Sequence, residues 1–156
     1  VRSGSAIGTA RNINRSTDIL VMLMLQTGVL MTDELRTRAT FSEAIVQDGR
    51  QFESGLRAFE FYTSFANPQN EAYTWHAGMP YSIDAFLQGD AAMMFNYSYF
   101  IPILERKNRY LDFATASNNK DMRNSVAFHK ESAQFVMNEL RRITKSRIKQ
   151  LFFQEI

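Results

Sequence analysis

The apolar residues of this chain recur with different periods, and each period predicts a different element. From Asn14 to Gly28 the run "NRSTDILVMLMLQTG" is apolar on nearly every side, which predicts a helix buried over most of its circumference. Ser16 or Asn14 is placed to cap it. Asp18 falls in the first turn, where the helix dipole favours an anion, and Gly28 is placed for a left-handed stop. The segment "VLMTDELRTRATF" (29–41) has no period and contains the turn-prone pair Thr32-Asp33, so it reads as a loop with room for a short hairpin. From about Asp48 to Phe65, residues Phe52, Leu56, Phe59 and Tyr62 or Thr63 recur at spacings of three and four, and Phe61 and Phe65 widen the stripe. This predicts a second helix, stopped by "ANPQN" (66–70), where proline cannot continue it.

The second half of the chain changes period more often. "EAYTWHAGMPYS" (71–82) reads as an ordered loop holding Tyr73, Trp75, His76 and Tyr81. Ser82 is placed to cap a short helix over 83–88, ended by Gly89. "AAMMFNY" (91–97) is a short continuous apolar run, the pattern of a buried strand. "SYFIPILERKN" (98–108) predicts a helix that tolerates Pro102 in its first turn and carries Arg106 and Lys107 at its C-terminal end. "YLDFATA" (110–116) alternates as a second strand, and "SNNKDMRN" (117–124) is a polar loop. From about Ser125 the pattern reads as one or two helices. Phe128, Phe135 and Leu140 support burial there, and "RRITKSRIK" makes the exposed side basic. No internal repeat, low-complexity tract or clear linker is visible. The expected fold class is α/β, helix-rich, with few short strands.

Composition narrows the function more than the fold. A chain of 156 residues suffices for one domain with a sizeable core, and 45% hydrophobic with 22% charged residues is a globular balance. The absence of cysteine excludes disulfides, thiolate catalysis and sulfur-ligated zinc or iron–sulfur sites. A net charge of +2 is too small to imply a nucleic-acid partner. That charge is uneven: residues 1–119 hold ten Lys/Arg against twelve Asp/Glu, and residues 120–156 hold eight against four. The longest apolar stretch, 19–31, is interrupted by Gln26, Thr27 and Gly28. It is shorter than the about 20 apolar residues that span a bilayer. With Val1 first and no signal peptide, the expectation is a mature or trimmed fragment.

Candidate chemistry is sparse except in one place. "GSAIG" lacks the preceding strand and the Lys-Ser/Thr of a phosphate-binding loop. His76 and His129 lie far apart without metal-ligand spacing, and no metal or other cofactor is expected. Asp84 reads as a helix-start anion and Asp90 as a turn residue, rather than as an acid–base pair set across a cleft. Residues 96–99, "NYSY", differ. A sugar has apolar C–H faces and polar edges, so its site needs rings to stack on and a few hydrogen-bonding groups. Asn96, Tyr97 and Tyr99 offer that mixture where a strand ends, and Trp75, the only Trp, stands in a loop placed to join them. The competing reading, that Tyr97 and Tyr99 start a helix and pack in the core, stays open on these residues alone.

The pattern "AF-x2-G-x-AAM" with "NYSY" after it resembles the bacterial extracellular solute-binding proteins of ABC sugar importers, the maltose-binding-protein-like family 1. Phe86, Gly89, Ala92 and Met93 match the approach to the strand, and Tyr99 falls at the place of the family's sugar-stacking aromatic. "GTARNINRSTDILVMLMLQTG" (8–28), "TWHAGMPYSIDAF" (74–86) and "IPILERKNRYLDFATA" (101–116) resemble further family segments in the same order. Arg109 and Ser117 stand where proline is usual. The resemblance covers residues 5–116. "VAFHKESAQFVMNEL" (126–140) is a faint echo, and the final basic stretch matches nothing in the family pattern.

What the resemblance implies is a partial, periplasmic-binding-protein-like (type II) lobe over 1–119, mainly the C-terminal lobe of the family's two, followed by a basic helical segment over 120–156. The implied function is that of a non-enzymatic binding component. It captures a sugar or oligosaccharide for ABC permease subunits, which it meets through the full-length parent. The implied location is extracellular or at the cell surface, periplasmic or lipid-anchored, with only indirect contact with the membrane and none with nucleic acid. Tyr99 and Trp75 would stack on the sugar and Asn96 would hydrogen-bond it. Tyr97 would line the pocket or pack beneath it. Two alternatives belong to other classes. A glycan-active enzyme would need an acid–base pair near Tyr99, for which Asp84 and Asp90 are the local candidates. A basic interaction module would use Arg141, Arg142, Lys145, Arg147 and Lys149, and its DNA binding would depend steeply on salt.

Overall fold

The structure, a computed structural model, describes residues 3–119 and 122–129. They form a mixed α/β protein with four α-helices and a few short strands among them. The chain divides into two compact units, one from Val1–Ser5 and Ile83–Ile156, the other from Ala6–Ser82.

The first unit is built on a four-stranded mixed sheet. Its strands are β1 (Ser3–Ser5), β4 (Ala91–Tyr97), β5 (Phe113–Asn119) and β6 (Met122–His129), in the order β1-β4-β6-β5. β1 runs parallel to β4, with Ser3 opposite Ala91 and Ser5 opposite Met93. β6 lies between β4 and β5 and is antiparallel to both. The strand expected over 91–97 is present, and its first four residues are fully buried. α3 (Ser82–Leu87) precedes it, and a 3-10 turn (Ser98–Phe100) leads into α4 (Ile101–Lys107). Pro102 occupies the first turn of α4, where its missing N–H is an orphan anyway. Ile83 and Phe86 from α3, Met94 from β4 and Leu104 from α4 form the core, with Leu87, Phe100, Leu111 and Phe113 against it. Phe86 and Phe113 meet edge to face at 6.1 Å.

Here the helix expected from Ser125 is corrected. Residues 122–129 are a strand, paired on both sides: Met93 opposite Phe128, Tyr97 opposite Asn124, and Phe113 opposite His129. Two neighbouring ladders satisfy the backbone of this segment, and such long-range pairing overrides a local periodicity. The division expected between 119 and 120 falls within the β5–β6 pairing. The helices expected beyond His129, with Phe135, Leu140 and the basic residues 141–149, lie outside the described residues.

In the second unit α1 (Ser16–Gln26) and α2 (Ser54–Ser64) pack together, with Met24, Val29 and Ala58 at their centre. Ile19, Met22 and Met24 of α1 are buried, whereas Leu25 is exposed. Gly28 ends this helix with φ +80°, as its position implies. The expected cap is absent. Arg15 holds the cap position at φ 61°, Ser16 Oγ donates to Ala10 O, and Asn14 N–H donates to Ser82 Oγ at 2.8 Å. That last bond also engages the hydroxyl expected to cap α3.

Residues 29–41 fold back as a small hairpin, with a single bridge between Thr32 and Ala39. The second helix starts later than its periodicity implies. Residues 45–52 form another hairpin, β2 (Ile45–Gln47) and β3 (Arg50–Phe52), turning at Asp48 and Gly49 with φ 51° and 74°. A two-residue turn with both φ positive favours an Asp-Gly pair, and that pair stands here. The buried face of α2 is Gly55, Ala58 and Tyr62, with Phe65 beyond it, while Leu56 and Phe59 are exposed.

Candidate functional site

The site is a cluster of rings where β4 ends. β4 is buried through Met94, half-buried at Phe95, buried again at Asn96 and half-buried at Tyr97. The chain turns from strand into the 3-10 turn at Ser98, and across it Tyr97 and Tyr99 stack. Their ring centres are 5.8 Å apart and their planes 14° apart. Phe100 meets Tyr99 at a steep angle, 74°, with centres 6.4 Å apart. Tyr99 nevertheless keeps 55% of its surface exposed, so it is not a core residue.

Asn96, the residue before this pair, is buried. Its Oδ1 accepts the Tyr97 backbone N–H at 2.8 Å, and its buried Nδ2 has no hydrogen-bond partner among the described residues. The amide thus braces the exit of the strand, and it is buried rather than in solvent. Phe100 was not among the residues expected at the site. Its signal in the sequence is continuity, since "YSYF" carries three rings in four positions.

Trp75 is placed differently. It belongs to the other unit, in the loop 71–82, and none of its surface is exposed. Its backbone N–H donates to Phe65 O at 3.1 Å, and its indole Nε1 has no hydrogen-bond partner among the described residues. The structure therefore gathers Asn96, Tyr97 and Tyr99, and holds Trp75 as an interior ring. The loop is ordered, as its composition implies. Asn12 Nδ2 donates to His76 O at 3.0 Å and to Met79 O at 2.9 Å, and Tyr81 donates its hydroxyl to Asn14 Oδ1. Tyr73 stacks on His76, whose Nδ1 accepts the Gly78 N–H.

Asp84 sits in the first turn of α3, as expected of a helix-start anion. The backbone of Asp90 is engaged on both sides, its N–H with Ala85 O and its carbonyl with Ser3 N–H. Among the described residues no three His, Asp or Glu side chains gather as metal ligands. No helix among them is long and apolar enough to cross a membrane. Comparison of the chain with protein-family models, curated proteins and solved structures finds no match.

Proposed function

We propose that this chain is the sugar-binding portion of an extracellular solute-binding protein serving an ABC importer, the class its sequence motifs resemble. Its lobe would be of the periplasmic-binding-protein type II kind. The observation that carries the reading is the exposed Tyr99, stacked on Tyr97 at the end of a buried strand. Tyr110 is more exposed than Tyr99, so what sets Tyr99 apart is the parallel ring of Tyr97 stacked against it. A protein that holds a sugar needs a ring open on one part and supported on another. The chain performs no chemical step in this reading. Its partners are a sugar or oligosaccharide and, through the full-length parent, permease subunits at the cell surface.

The test is a titration of the chain with glucose, maltose and galactose, followed by tyrosine ring resonances, in wild type and Tyr99→Ala. Removal of a stacking ring should weaken binding about tenfold. Equal binding by Tyr99→Ala, or no binding of any sugar by wild type, would overturn the reading.

A further inference from the structure

Tyr99 projects from a short 3-10 turn, and an exposed ring there would ordinarily sample several rotamers. Ordering such a side chain on binding costs affinity, and a ring already held in place avoids that cost. Tyr99 is held. Tyr97 lies nearly parallel to it, Phe100 meets it at 74°, and the backbone of Tyr97 is itself pinned by Asn96 Oδ1. The support is layered: a buried amide fixes the strand exit, the strand exit fixes Tyr97, and Tyr97 backs Tyr99.

We propose that Tyr97 is a positioning residue, whose ring preorganises Tyr99 to receive the C–H face of a single pyranose ring. The consequence for ligand rests on the sugar-binding reading above. The ordering of Tyr99 does not. One phenol ring, more than half exposed and backed by another, presents a patch about the size of one sugar ring. An acyclic polyol with similar hydroxyls has no such face to offer.

The experiment uses the full 156-residue chain. Tyrosine ring resonances are assigned in wild type, Tyr97→Leu, Tyr97→Ile, Tyr97→Phe and Tyr99→Ala, each checked for folding by its amide spectrum. Each is then titrated with D-glucose and with sorbitol. In Tyr97→Leu, or in Tyr97→Ile if the leucine variant does not fold, the Tyr99 ring signals should move toward random-coil positions. Glucose should bind about 2- to 10-fold more weakly to that variant. Tyr97→Phe should restore both properties, because a ring without the hydroxyl still stacks. Sorbitol should leave the Tyr99 signals unmoved at the glucose concentration that half-saturates wild type.

Unchanged Tyr99 signals in the leucine or isoleucine variant would overturn the proposal. So would failure of Tyr97→Phe to restore them. If glucose binding needs Tyr99 but is indifferent to Tyr97, the positioning role falls and the sugar reading stands. If the ring signals respond as expected while no sugar binds, the positioning role stands and the sugar reading falls. Equal response to sorbitol would overturn the assignment of a cyclic ligand.

Discussion

Asp33 shows what one exposed carboxylate organises. Its Oδ1 accepts the backbone N–H groups of Thr37 and Arg38, and its Oδ2 accepts the Thr37 hydroxyl at 2.7 Å. The Thr37 hydroxyl, followed by the Arg38 N–H, holds this carboxyl below its ordinary value. A carboxyl lowered by folding stabilises the fold above its unfolded pKa, and that contribution is lost as pH falls through the folded value. The Thr37 and Arg38 amides should therefore lose protection, measured against the intrinsic exchange rate at each pH, once the solution is acidified below the ordinary aspartate range. Asp33→Ala should show the same loss of protection at neutral pH, with the rest of the protein unchanged. Slow exchange of both amides in the alanine variant would show that the hairpin closes without the carboxylate. Tyr62 works in the opposite direction. Burial pushes its hydroxyl up to about 12, and it donates to Thr9 O at 2.7 Å. Stability from this group is complete below about pH 10, the ordinary tyrosine value, and is lost as pH rises through the folded value. Alkaline denaturation curves of wild type and Tyr62→Phe should converge at high pH, with the phenylalanine variant less stable by about 1 kcal/mol at neutrality.

At the scale of elements, α2 is defined by how closely it is approached. A Cβ built on Gly55 would collide with Phe41 O, so the loop backbone lies against the helix where only glycine leaves room. Gly55→Ala should destabilise the protein by about 1–3 kcal/mol in denaturant unfolding, despite alanine's better helix propensity. An unchanged midpoint would mean that the 41–42 backbone moves aside freely. The same contact explains why the sequence misled about this helix. The larger residues Leu56 and Phe59 carried the apolar period, whereas the packed face uses small ones, Gly55 and Ala58, that hydropathy hardly weighs. Elements bounded by their own punctuation were legible: α1 with Gly28, α3 with Gly89 after it, β4 as an unbroken apolar run, and α4 with Pro102 at its start. Those that depend on distant partners were not. Nothing local marks 122–129 as a strand, because its definition is the two ladders on either side. The candidate site was legible in part for the same reason. Adjacent residues 96–99 come together by chain continuity, whereas the placement of Trp75 is set by packing.

At the scale of the whole molecule, the two expected stacking rings belong to different units, and only one is open. Trp75 is fully buried, and its indole N–H has no hydrogen-bond partner among the described residues, an arrangement that costs about 1–3 kcal/mol. As the only Trp it also reports on its own unit. Its emission should be blue-shifted in the native protein relative to the unfolded one, and acrylamide should quench it poorly. The functional prediction follows from the same burial. If sugar is held by the exposed tyrosine, Trp75→Phe should leave glucose affinity within about twofold of wild type, while Tyr99→Ala lowers it about tenfold. Glucose should not change the acrylamide quenching of Trp75. Comparable losses in both variants, with quenching altered by glucose, would overturn the assignment of the sugar contact to Tyr99 alone.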